Sequence, residues 1–175
     1  MGCDIHMYVQ YREKERSDSQ YDFWYSFGER VNPGRCYDMF AILSDGVRGR
    51  WKKHFRAKGL PTKMGYSAEN DAYLWIREKN EDPRDYEDRS CTLEDALRWK
   101  GKIIRDNEGK PLKTEHPDWH SHSWLTVSEF EQALKWYKEQ TKYTPPVEYR
   151  ALFKAMKELE NRGKNEVIVV FWFDN

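Results

Sequence analysis

The sequence predicts a single-domain α+β fold over residues 1–175. The expected architecture is a mixed or antiparallel sheet that carries the N- and C-terminal strands and is packed by about four to five helices. Three observations predict it. Residues 3–11 alternate, with Ile5, Met7, Val9 and Tyr11 on one face and Asp4, His6, Tyr8 and Gln10 on the other. That is the period of a strand with one apolar and one polar face. Residues 167–173 form the longest apolar run and are apolar on both faces, as a central strand is. The signals between these ends are mostly those that start and stop helices.

Each element follows in order. Residues 21–27 read as a second, aromatic strand. Asn32-Pro33-Gly34 is a turn, and residues 37–43 form a short helix ended by Asp45-Gly46. Residues 46–68 hold seven Lys and Arg and no acid, interrupted by Gly49, Gly59, Pro61 and Gly65. This predicts a long ordered basic loop over 46–66, the kind of segment that often carries function. Ser67 then caps a helix to about residue 79, and residues 80–90 are an acidic connector. Thr92 caps a helix over 93–100 with Gly101 as its stop. Residues 102–105 and 110–112 flank Asp106-Asn107-Glu108-Gly109 as a hairpin. Residues 114–124 predict a polar loop rich in His and Trp. Thr126 and Glu129 form a capping box that opens a helix to about residue 142. Thr144-Pro145-Pro146 starts the last helix, with the apolar stripe Tyr149, Leu152, Phe153, Met156 and Leu159 and the stop Gly163. The two terminal strands are expected to pair in the middle of the sheet.

Composition narrows the class. A domain of this length buries roughly 70% of its unfolded surface. Eight Trp and eleven Tyr supply large rings to a core that is thin in aliphatic residues. Thirty Lys and Arg balance thirty Asp and Glu, so net charge gives no reason to expect duplex DNA or an anionic membrane as partner. No run approaches the ~20 apolar residues of a membrane helix, and no basic region followed by an apolar core stands at the N-terminus, so a signal peptide is not expected there. Cys3, Cys36 and Cys91 are widely spaced, with no Cys-x-x-Cys pair. That suits a reducing compartment, so a cytoplasmic location is expected. Oligomeric state is open, with a homo-oligomer among the expectations.

Two groups of residues can carry chemistry. Asp4 and His6 project to one side of a strand, and Asp118, His120 and His122 fall in one short segment. Imidazole with carboxylate suits zinc or manganese, so Asp4, His6, Asp118 and His120 are the candidate metal ligands. A bound divalent ion could polarise a phosphoryl group and activate water. His6, His120 and Asp118 would then be the catalytic residues of a phosphodiesterase. Two plainer readings stand beside this one: a hydrogen-bonded pair on a solvated face with histidines that order a loop, and a metal-free His acid/base pair. Cys3 beside His6 also raises a thiol nucleophile.

The second group is the basic loop. Arg48 and Arg50 present guanidinium forks that match phosphate oxygens, and Lys58 adds a third cation. Trp119 or Trp124 would wall a base, with Ser121 and Ser123 completing the ligand-binding set. The plain alternative is a solvated loop paired with the acidic segment 78–95. The chain has no P-loop, no Gly-x-Gly-x-x-Gly and no Gly-x-Ser-x-Gly motif.

Four islands of sequence go together. They are Met1-Gly2-Cys3-Asp4-Ile5-His6; Lys58-Gly59-Leu60-Pro61; Asp118 with His120, Ser121, Ser123, Trp124, Leu125 and Thr126; and Phe171-Trp172-Phe173-Asp174-Asn175. Together they resemble a family of uncharacterised phage and prophage proteins. In that pattern the third island reads D-x-H-S-x-S-W-L-T, so His122 falls at a variable position and is the weakest of the ligand candidates. Lys58 stands where the family more often has arginine, and a lysine meets phosphate as a point charge and not as a fork. The resemblance implies a phage context but no established activity.

Residues and context together give one leading expectation: a phage-type protein of the host-cell cytoplasm that binds a phosphate-containing small molecule, a nucleotide first of all. It would act by sequestering an immune signal, as an anti-defence sponge. The first alternative is the metal-dependent phosphodiesterase. The second is an inhibitor that binds a host protein through the charged segments 46–68 and 78–95.

Overall fold

A computed structural model describes residues 2–13, 23–162 and 165–174. The chain forms β1 (Ile5–Glu13), β2 (Tyr25–Ser26), α1 (Tyr37–Leu43), α2 (Tyr66–Ala72), β3 (Tyr73–Arg77), a 3-10 turn (Pro83–Tyr86), β4 (Ser90–Thr92), α3 (Leu93–Trp99), β5 (Ile103–Arg105), β6 (Pro111–Glu115), β7 (His120–Thr126), α4 (Val127–Thr141), α5 (Val147–Asn161) and β8 (Asn165–Phe173). The α+β class holds, with five α-helices and eight strands among the described residues. No helix among them is long and apolar enough to cross a membrane.

The strands form two sheets. The first is antiparallel in the order β2-β1-β8-β7; the second runs β4-β3-β6-β5, with β3 and β4 parallel. The terminal strands do pair in the middle of the first sheet. Nine successive residue pairs join β1 to β8, from Ile5 opposite Phe173 to Glu13 opposite Asn165.

Both faces of that central pair are covered. Ile5, Met7 and Val9 of β1, with Val167, Val169, Phe171 and Phe173 of β8, pack against α1, α4 and α5 in the main core. Tyr8, Ile168, Val170 and Trp172 point the other way and meet Ala68 and Ala72 of α2 and Tyr73 of β3. The face of β1 that alternation makes polar is therefore not solvated. His6 is 2% exposed and Gln10 0%, with Asp71 of α2 and the Trp119 ring lying against His6.

Local signals explain most element ends. Thr126 and Glu129 make the expected capping box at α4, and Thr92 with Asp95 makes another at α3. α1 matches its predicted span. The hairpin 102–112 forms as β5 and β6, with β6 continuing to Glu115.

Three expectations change. The helix predicted over 67–79 ends at Ala72, since Tyr73, Trp75 and Ile76 are aromatic or β-branched and find partners in β4 and β6. The His/Trp loop 114–124 is a loop only between Glu115 and His120, and the rest joins the edge of the first sheet as β7. The aromatic strand 21–27 is reduced to Tyr25 and Ser26 among the described residues. Tyr21, Asp22 and the proposed stop Gly163 lie outside the described residues.

Candidate functional site

Two places on the α2-facing side of the first sheet concentrate polar and aromatic groups. One is the end where β1 begins and β8 finishes. The other is the opposite end of the same face.

At the first end His6 is the centre. Its Nδ1 lies 2.9 Å from Asp71 Oδ2 and its Nε2 lies 3.2 Å from Asp174 Oδ2. The Tyr8 hydroxyl donates to the same Asp71 oxygen at 2.8 Å, and Arg30 Nη1 approaches His6 Nδ1 at 3.1 Å. That nitrogen either donates to Asp71 or accepts from Arg30, so the tautomer decides which bond is made. Asp174 Oδ1 accepts the Asp4 backbone N–H at 2.7 Å, while the Asp4 carboxylate takes two bonds from Arg35, at 2.6 and 2.8 Å. Trp119 covers the imidazole, ring centres 4.3 Å apart, and His116 stacks on Trp119 at 4.2 Å. The Trp119 indole is anchored by a 2.8 Å bond to the Asp71 carbonyl.

Electrostatics at this end favour fixed charges. Burial opposes ionisation of Asp71, yet the bonds from His6 and Tyr8 and the nearby Arg30 outweigh it and hold the carboxyl below its ordinary range. Burial, reinforced by Asp71, pushes the Tyr8 phenol well above its ordinary value. The Arg35 bonds hold Asp4 low. Burial pushes the Cys3 thiol up against the opposing pull of Arg48, so the buried Cys3 is not an activated nucleophile.

The candidate metal ligands are spread out. His6 stands opposite Trp172 on the α2-facing side. His120 stands opposite Phe173 and stacks on it at 5.9 Å, on the helix-facing side. Asp4 is held by Arg35, and the Asp118 side chain is 76% exposed beside His116. Among the described residues no three His, Cys, Asp or Glu side chains are grouped to share an ion.

Three other predicted residues hold β7 in place. Ser121 sits at a bulge with φ 53° and receives Ser44 Oγ on its carbonyl at 3.3 Å. Ser123 Oγ accepts the Lys58 backbone N–H at 3.2 Å. His122 lies buried near Trp172, ring centres 6.0 Å apart, and burial pushes it down to about 4.

At the opposite end of the face a cleft of about 260 Å³ opens between Trp24 and Trp124. Arg12, Pro61, Thr62, Lys63, Glu166 and Ile168 complete its wall. Arg12 lies over the Trp24 ring at 4.9 Å and pairs with Glu166 through Nη2 at 2.6 Å. Lys58 sits 4.1 Å from the Trp124 ring centre and pairs with Glu129 at 2.7 Å. The basic loop thus reaches the cleft through residues 58–63. The arginines that the sequence singled out stay away from it: Arg48 interacts with Cys3 at the first end, and neither Arg48 nor Arg50 lines the cleft. The loop pairs with α4 through Lys53–Glu139 and Lys58–Glu129.

Sequence reasoning named His6, Asp4, Trp119, Trp124 and Lys58. It missed Asp71, Asp174, Arg30, Arg35, Arg12 and Trp24. Asp174 had a signal, since a residue that directly follows a strand paired with β1 must lie near Asp4. Asp71 and Arg30 had none, because their place depends on how α2 and the 28–35 segment cross the sheet. Comparison of the chain with protein-family models, curated proteins and solved structures found no match.

Proposed function

We propose that the chain binds a phosphate-bearing small molecule with a flat ring, a nucleotide, in the cleft between Trp24 and Trp124, and holds it without turnover. The observation that carries this reading is two indoles facing one space with cations at its rim. Indole faces stack any base, and Lys63 with Arg12 supplies positive charge for phosphate. The volume of about 260 Å³ sits just under the usual ligand-pocket range of roughly 300–1,000 Å³, which suits a mononucleotide-sized group more than a large cofactor. Arg12 is already paired with Glu166, so a phosphate joins an existing charge pair.

Holding without chemistry is favoured by the other polar centre. His6 is buried with a carboxylate at each ring nitrogen, which leaves it no lone pair facing outward to act as a base. Sequestration of a signalling nucleotide in a phage context fits such a binder. The test is equilibrium binding of a nucleotide panel, monitored by tryptophan fluorescence, for the native chain and for Trp24→Leu and Lys63→Glu. The reading requires a saturable change that both substitutions weaken at least tenfold. Equal binding in all three proteins removes the cleft as the site.

A further inference from the structure

A second cleft, of about 220 Å³, is walled by Tyr66, Trp75, Tyr86, Asp85, Glu87 and Arg89, among others. Its chemistry is opposite to that of the Trp24–Trp124 cleft. Three aromatic rings come from three different segments: the start of α2, the middle of β3 and the end of the 3-10 turn. Two carboxylates, Asp85 and Glu87, stand among them and outnumber the one cation, Arg89. The charge of Arg89 is also felt by Tyr8 at the neighbouring polar end.

The segment that presents these groups is built with strain. Glu87 and Asp88 are consecutive non-glycine residues in the left-handed region, φ 52° and 58°, an arrangement that costs free energy and persists only where surrounding contacts enforce it. Those contacts are present. Asp82 caps the 3-10 turn through Arg84 N–H, Asp88 N–H bonds the Pro83 carbonyl at 3.1 Å, and Trp75 N–H bonds the Arg89 carbonyl at 3.0 Å. The Tyr86 hydroxyl donates to Glu81 at 2.8 Å and so fixes its ring. Trp75 already attracts one cation, since Lys113 Nζ lies 5.7 Å from its ring centre with its charge matched by Glu69.

We infer that this cleft binds a methylated ammonium cation. Ring faces carry negative potential and prefer a diffuse, weakly hydrated cation over a compact ammonium, while the carboxylates add net negative charge. This inference is independent of the nucleotide reading, as no residue is shared between the two clefts.

The test titrates the full chain with tetramethylammonium chloride and follows the Trp75 indole N–H by NMR. Sodium chloride controls for ionic strength, ammonium chloride for unmethylated charge and tert-butanol for neutral bulk. The expected result is a saturable shift with tetramethylammonium only. Affinity should fall about fivefold or more in Tyr66→Leu and in Asp85→Asn with Glu87→Gln. Tyr66 is 74% exposed, so its substitution leaves the fold intact even where changes at Trp75 do not. An equal response to tert-butanol or to ammonium, no saturation, or unchanged affinity in both variants overturns the inference.

Discussion

Lys58 holds its ammonium 4.1 Å from the centre of the Trp124 ring while the same nitrogen lies 2.7 Å from both carboxylate oxygens of Glu129. Glu129 is also the acceptor for the Thr126 N–H in the capping box of α4. One carboxylate therefore closes the helix end and fixes the lysine that braces a wall of the aromatic cleft. The side chains of a loop, a strand and a helix become one unit there.

Lys58→Met tests that unit. It keeps the apolar stem and removes the charge. Stability in urea should fall by no more than about 1 kcal/mol, since the pair is half-exposed. Nucleotide affinity should fall severalfold as Trp124 loosens. Lys58→Arg should restore most of it.

The His6 cluster should behave as a structural lock. Asp71→Ala leaves the Tyr8 hydroxyl and a buried imidazole nitrogen without their acceptor, at a cost of about 3 kcal/mol. Tyr8→Phe removes one bond and should cost about 1 kcal/mol. Chemical denaturation of the two variants checks the ordering.

His122 should make stability depend on pH. Its folded value is pushed down to about 4 by burial, below the unfolded value near 6.5. Between these values the unfolded chain binds the extra proton, so stability rises with pH across that window and is flat on either side. The full effect is on the order of 3 kcal/mol. Denaturation midpoints from pH 4 to pH 7 check it, and His122→Asn should flatten the slope that this group contributes.

Lys100 ends α3 with φ 57°. Lys100→Gly should raise stability by about 0.5–1 kcal/mol, as glycine adopts that conformation without strain. The next residue cannot trade places with it. A Cβ on Gly101 would clash with Thr114 Oγ1, so Gly101→Ala should destabilise. Thermal melts of both variants decide the point.

Gly101 also shows how sequence signals succeed for partial reasons. A glycine after Trp99 does mark the end of a helix, but the left-handed residue is Lys100, and Gly101 is required because β6 passes close by. The long elements were legible because β1, α4 and α5 each carry their own hydrophobic period and β8 is an unbroken apolar run. The helix predicted through residue 79 failed where Tyr73, Trp75 and Ile76 found strand partners in the second sheet. The polar face of β1 looked solvated because nothing in nine residues announces a second layer above it.

The candidate site was legible to the same degree. Residues 58–63 and Trp124 were visible as a basic and an aromatic signal, and they do meet. Arg48 and Arg50 carried the same local signal but do not line the cleft, and Arg48 interacts instead with Cys3 beside the start of β1. Trp24 and Arg12 gave no separate signal, because only the β1–β2 pairing brings them to the cleft.

The central claim is that the cleft captures a nucleotide and returns it unchanged. The most direct measurement mixes the purified chain with signalling nucleotides, cyclic dinucleotides and cyclic ADP-ribose isomers among them. Free ligand is removed, the protein is heat-denatured and both fractions are run on chromatography. The account predicts that one nucleotide disappears from solution and returns intact on denaturation, and that Trp24→Leu abolishes the capture. A nucleotide that returns as product, or a panel from which nothing is depleted, would contradict it.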